Sequence, residues 1–214
     1  MKIDPTNPQK ITVGPARFSY MNVFSPRKMD SGELQYSLTL LIPKTSHKFC
    51  PDPDAELEGI RSAIKAAGAS DKLKGAKNWA QPLKDGDKEL NGNGEPRHPG
   101  YWYISTKAFT RDREGNEKIG PLVKDGQGVP ISAHSGFVSG DWGKAVLYFS
   151  AYDTSGNKGV TAYLNAVQCL YKDEPFSKPQ DDFEPVADAH LVGATAAAPA
   201  NGTTTQEYDP FAED

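Results

Sequence analysis

KAVLYFSAYDTSGNKGVTAYLNAVQCLYK, residues 144–172, decides the fold. Side chains on a strand alternate between faces, so each half of this stretch divides by parity. In the first half Ala145, Leu147, Phe149 and Ala151 form an apolar set, opposite Lys144, Val146, Tyr148, Ser150 and Tyr152. In the second half Val160, Ala162, Leu164, Ala166 and Leu170 are the apolar set, opposite Thr161, Tyr163 and Asn165. Between them lies DTSGNK, a polar, glycine-containing turn at 153–158. Two alternating runs around such a turn predict a β-hairpin with one buried and one open face.

Working outward, three more segments read as strands. ITVGPARFSYMNVF (11–24) is rich in β-branched and aromatic residues and is broken at Gly14-Pro15, as at a bulge. LQYSLTLLIPK (34–44) places Tyr36, Leu38, Leu40 and Ile42 on one face, with Ser37 and Thr39 on the other. YWYISTKAF (101–109) divides into Trp102, Ile104, Thr106 and Ala108 against Tyr101, Tyr103, Ser105, Lys107 and Phe109. One helix is signalled. Asp52 caps it, Pro53 opens it, Asp54 and Glu56 suit the positive end of its dipole, and Gly68 stops it. Its apolar stripe is Leu57, Ile60 and Ile64, and the charged residues between face water. About five strands, one helix and long loops predict a mainly β protein, an OB-like antiparallel barrel with a helical insertion. Strand patterns alone leave a sandwich open.

The charge is divided along the chain. The net charge is −4, yet 173–214 holds ten acids against one base, and 1–172 carries +5. The acidic segment is rich in Pro, Ala, Thr and Gly, a composition that predicts a disordered tail (173–214) on a folded domain (1–172). A mildly basic body with an acidic appendage points to a polyanionic partner. No 18-residue apolar window or signal peptide is present, which predicts a cytoplasmic protein with Cys50 and Cys169 as reduced thiols.

The outward faces carry the functional signal. Tyr101, Tyr103, Phe109, Tyr148 and Tyr152 are interleaved with Lys107 and Lys144, and Arg111 follows directly. Aromatic faces stack on unpaired bases and nearby cations neutralise phosphates, so this pattern predicts a platform for single-stranded nucleic acid. Lys77, Trp79 and Trp142 lie in basic loops and extend the candidate track, although each tryptophan reads equally as a core anchor. Truncating Tyr101, Tyr103, Phe109, Tyr148 or Tyr152 singly to Ala is then expected to weaken binding without unfolding the domain. Catalysis finds no support: GxxxxGK[ST], HExxH and GxSxG are all missing, and the acids of 1–172 are scattered. No cofactor or metal is expected. Asp85-Gly86-Asp87 reads as a turn. A rival reading is a virion or adaptor β-domain that binds protein.

The hairpin YFSAYDTSGNKGVTAYLNAVQCL, the PLKDGD segment at 82–87, the PLVKDGQGVPI segment and the acidic tail together resemble phage-encoded single-stranded DNA-binding proteins. That resemblance implies an OB fold and sequence-tolerant binding of single strands in replication and recombination, without a cofactor. The tail then has a role to explain. Tyr208 and Phe211 sit among Asp209, Glu213 and Asp214, an acidic-aromatic tip suited to compete for the nucleic-acid groove. Displaced, it is suited to bind replication or repair proteins. Comparable tails often end on the aromatic itself, whereas here Ala212-Glu213-Asp214 follow Phe211.

Overall fold

A computed structural model describes residues 2–76, 78–112 and 114–176. Its elements run β1 (Lys2–Asp4), β2 (Asn7–Lys28), β3 (Leu34–Pro43), α1 (Pro53–Gly68), β4 (Leu83–Asp85), β5 (Tyr101–Phe109), β6 (Leu122–Lys124), β7 (Trp142–Thr154) and β8 (Asn157–Tyr171). The sheet order is β4-β5-β3-β2-β7-β8-β6, with β1 on β2. A parallel pairing of β5 with β8, Thr106 to Ala162 and Lys107 to Tyr163, closes five of these strands into a barrel. The remaining three strands are short additions to its edges.

The predicted hairpin is β7–β8. Its turn is only Ser155-Gly156, both at positive φ, 51° and 84°, so that Thr154 pairs with Asn157. That is the twist a two-residue hairpin connection needs. On β7 the parity holds throughout: Ala145, Leu147, Phe149 and Ala151 are all buried. On β8 it holds only to Leu164. The register shifts between Val146↔Ala166 and Leu147↔Leu164, and beyond that bulge Val167 and Cys169 point inward in place of Ala166 and Leu170.

The break in β2 at Gly14-Pro15 is also a register shift, between Val13 and Ala16 against β7. Gly14 is obligatory there, since a Cβ would lie 2.5 Å from the Gly143 carbonyl oxygen and φ is +113°. Its N–H donates to the Glu56 carboxylate at 2.9 Å. Glu56 is buried rather than facing water as the helical pattern suggests, because it fastens α1 to this bulge.

Asp52 caps α1 as expected, accepting from the Ala55 N–H at 3.0 Å. Leu57, Ile60 and Ile64 enter the common core with Phe18, Leu40, Leu147 and Phe149. Gly68 has a different role from the expected stop signal. The residue after it, Ala69, remains right-handed at φ −72°. What favours a glycine is the Trp79 ring, whose Cζ2 would lie 3.0 Å from a Cβ and would have to yield to it.

Candidate nucleic-acid interface

Closure between β5 and β8 brings the open faces of β5 and the hairpin together. Tyr148 pairs across the hairpin with Tyr163, and Lys107 lies in register with Tyr163 across the closure. Phe109 meets Tyr163 with ring centroids 5.9 Å apart, and the Lys107 ammonium stands 5.3 Å from the Phe109 centroid. This cluster divides two grooves that share Tyr163. The first, of about 1030 Å³, is lined by Phe109, Arg111, Lys118, Tyr148 and Tyr163, and also by the acids Glu33 and Asp112. The second, of about 630 Å³, carries Lys84, Arg97, Lys107, Tyr152 and Tyr163, and no acid lines it.

Local packing sets these side chains. Tyr152 lies across Gly159, where a Cβ would come within 2.7 Å of its hydroxyl. Ala80 accepts from the Val160 N–H at 3.0 Å and donates to the Lys158 carbonyl at 2.9 Å, which seats Gln81 and Pro82 along the second groove. Arg111 donates to the Gly115 carbonyl at 3.0 Å and is 3.5 Å from Glu117, so its head is held within its own loop.

Loop 86–100 closes over one end of β5. Lys44 bridges Asp85 and Asp87, at 2.6 Å to the latter, and the Gly100 N–H donates to Asp87 at 2.7 Å. Hydrogen bonds to Lys44 hold both carboxyls below their usual range, and the same pair raises the Lys44 ammonium. Within this loop His98 is buried, its ring 4.9 Å from that of Tyr103. Burial, then the charge of Arg97, lowers its pKa, so it adds no positive charge near neutral pH.

The sequence-predicted residues therefore divide. Lys107, Phe109, Arg111, Tyr148 and Tyr152 come together in the paired grooves. Tyr103 also lines the second groove, but at 2% exposure it is a wall covered by the 86–100 loop, not a presented ring. Trp142 is wholly buried, stacked on His47 at 4.4 Å, and is a core anchor. Tyr101 and Lys144 are half-buried and lie outside both groove linings. Trp79 belongs to a third concavity beside α1 together with Trp102, a ring that parity assigns to the inside. Lys77, Tyr208, Asp209, Phe211, Glu213 and Asp214 lie outside the described residues.

Parity had set Tyr163 on the open face without singling it out. Arg97 and Lys118 carry no sequence signal, since loops bring them in, and Lys84 is set by the three-residue β4, which pairs it with Tyr103. Cys50 and Cys169 are buried free thiols, pushed up to about 11 and about 12 chiefly by burial, so neither supplies a thiolate near neutral pH. No helix among the described residues is long and apolar enough to cross a membrane.

Residues 9–191 match the family model described as the single-stranded DNA-binding protein of Enterobacter phage Enc34. The chain belongs to that family. It is a family of binders and not of enzymes. Among solved structures, the Enc34 protein in complex with single-stranded DNA is 26% identical, with a TM-score of 0.61 over 79% of this chain and 90% of that one. A second structure of the Enc34 protein is 25% identical, with a TM-score of 0.60 over 81% and 87%. Bacteriophage T7 gp2.5, a single-stranded DNA-binding protein, shares the fold at 17% identity, with a TM-score of 0.52 over 86% of this chain and 98% of that one. No curated protein matches the chain.

Proposed function

We propose that the protein binds single-stranded DNA without sequence preference, through the two grooves that meet at Tyr163. The observation that carries this reading is the alignment of Phe109, Tyr148, Tyr152 and Tyr163 with Lys84, Arg97 and Lys107 along one connected surface. Duplex DNA hides its base faces, so rings arranged for stacking select unpaired strands. The cations take phosphates and release counterions. Membership of the Enc34 family and the Enc34 complex with single-stranded DNA support the same ligand.

The reading places the protein in phage DNA replication and recombination, within the host cytoplasm, where it covers and organises exposed strands, alone or self-associated. The acidic segment from 173 onward competes for the groove when DNA is absent. Once displaced, its Tyr208–Asp214 tip recruits replication or repair proteins. Support for the competition is charge: with Asp173 and Glu174 held against the barrel, 177–214 still carries −7 against +3 on 1–176.

Anisotropy of labelled oligo(dT), titrated at several salt concentrations, tests the reading. Expected is binding at low salt whose logarithm falls linearly with log salt, at about 0.7 per phosphate neutralised. Failure to bind at low salt overturns it. Competition is tested by deleting 177–214 and leaving 173–176, which pack against the barrel. Unchanged affinity and salt slope in that truncation reject the competing tail.

A further inference from the structure

The concavity beside α1 has a volume of about 660 Å³ and lies outside the paired grooves. Trp79 and Trp102 line it, with Leu83 and Ile64, and the exposed Arg61 and Lys65 of α1 add two positive charges. No acid is among its lining residues. The Arg61 guanidinium carbon is 5.6 Å from the Trp102 ring centroid. Trp79 lies against Gly68, and both indoles are partly buried against the core.

An apolar hollow with cations at its edge could take several ligands. Its position chooses among them. Gln81 lines this hollow and the second groove alike, and the Ala80 hydrogen bonds to Lys158 and Val160 hold that junction against β8. A strand following Tyr152 and Lys84 past Gln81 therefore arrives at the two tryptophans.

We propose that this hollow is an end subsite for the same DNA strand. A nucleobase lies against the Trp102 or Trp79 indole while Arg61 and Lys65 take the adjoining phosphates. Indole faces and guanidinium planes both stack on bases irrespective of sequence. The inference rests on the single-strand reading of the grooves and lengthens the site by the nucleotides beyond Gln81.

The protein offers its own reporter. Of three tryptophans, Trp142 is sealed in the core and the other two line this hollow. Tryptophan emission excited at 295 nm thus reports the hollow, while anisotropy of end-labelled dT oligonucleotides of graded length reports binding as a whole. Expected is quenching that sets in only above the shortest length that binds. The double variant Arg61→Glu/Lys65→Glu, at exposed positions, should lose that quenching. It should also lower the salt slope for long oligonucleotides by about 1.4, two phosphates at about 0.7 each, and leave the shortest binder unaffected. Binding without quenching at any length overturns the subsite alone, as does a double variant with unchanged slope and quenching. Quenching by poly-glutamate but not by dT overturns it in favour of an acidic protein segment. No binding of any oligonucleotide at low salt overturns the groove reading and the subsite with it.

Discussion

The indole N–H of Trp142 donates to the carboxylate of Asp173 at 2.8 Å, joining the start of β7 to the first residues beyond β8. Around that bond the chain is tied down. Trp142 stacks on His47, and Phe49 stacks on Tyr171 at 4.6 Å. The Asp173 N–H donates to the wholly buried Asp141 at 3.1 Å. Arg17 donates to the Glu174 carbonyl at 2.8 Å and lies over the Phe176 ring at 4.2 Å. The first acid of the acidic segment is thus a structural residue that serves the barrel.

Asp173→Ala should therefore destabilise the protein. It leaves a buried N–H without its acceptor, a loss of about 1–3 kcal/mol, read as a lower urea midpoint with unchanged m. Burial raises the Asp173 carboxyl, but the Trp142 and Glu174 N–H groups with Arg17 and Lys48 outweigh it, and the net shift is downward. A folded value below the unfolded one means stability that is present above the ordinary carboxylate range and lost as pH falls below that range through the lowered folded value. Asp173→Asn removes that titration, so the difference in stability between wild type and variant should shrink on acidification. A constant difference rejects the assignment.

The hairpin made the barrel legible, and β7 shows why. The extra residue of the bulge lies on β8 and none is inserted in β7, so along Ala145–Ala151 parity alone sorts Leu147 and Phe149 from Tyr148 and Tyr152. One bulge in β8 inverts the rule after Leu164, and no residue type announces it. Tyr103 obeys parity and is still covered, because its cover comes from the 86–100 loop. Trp142 and Asp173 are 31 residues apart, and a sequence does not reveal that pairing. The grooves were legible to the same extent. Lys107, Phe109, Tyr148 and Tyr152 project from regular strands, whereas Arg97 and Lys118 are delivered by loops whose paths only the fold fixes.

Tyr148→Ala and Tyr163→Ala, the cross-hairpin pair, should each weaken oligo(dT) binding. A base stacked on an aromatic contributes about 1–3 kcal/mol, or roughly fivefold to 150-fold in affinity. Both rings are half-buried on the open face, so thermal stability should change little. Lys107→Ala should instead reduce the salt slope by about 0.7. Equal salt slopes in all three variants would contradict the division into stacking rings and phosphate cations.

Gly86 is confined from both sides. A Cβ there would lie 2.2 Å from the His98 carbonyl oxygen and 2.7 Å from that of Tyr101, both backbone atoms. Gly86→Ala should force loop 86–100 off β5 and destabilise by about 1–3 kcal/mol. The Lys44 bridge to Asp85 and Asp87 gives this loop a pH window. The lowered carboxyls contribute stability above the ordinary carboxylate range and lose it as pH falls. The raised Lys44 contributes below the ordinary lysine range and loses it as pH climbs through the folded value. Lys44→Met should flatten both limbs, measured as urea stability against pH.

Tyr103 separates packing from ligand contact. Its hydroxyl is a buried side-chain oxygen without a hydrogen-bond partner among the described residues, and its ring packs beneath His98. Removing a buried unpaired hydroxyl relieves its desolvation, so Tyr103→Phe should be neutral or stabilising by up to about 1 kcal/mol. Tyr103→Ala removes the ring as well and leaves a cavity, which costs about 3–5 kcal/mol for a buried aromatic. Parity alone predicts the reverse for alanine, weaker DNA binding in a domain of unchanged stability. Thermal unfolding of the two variants beside oligo(dT) affinity decides between them. If Tyr103→Ala keeps the wild-type melting temperature and loses affinity, the ring is presented to the strand and the loop does not cover it.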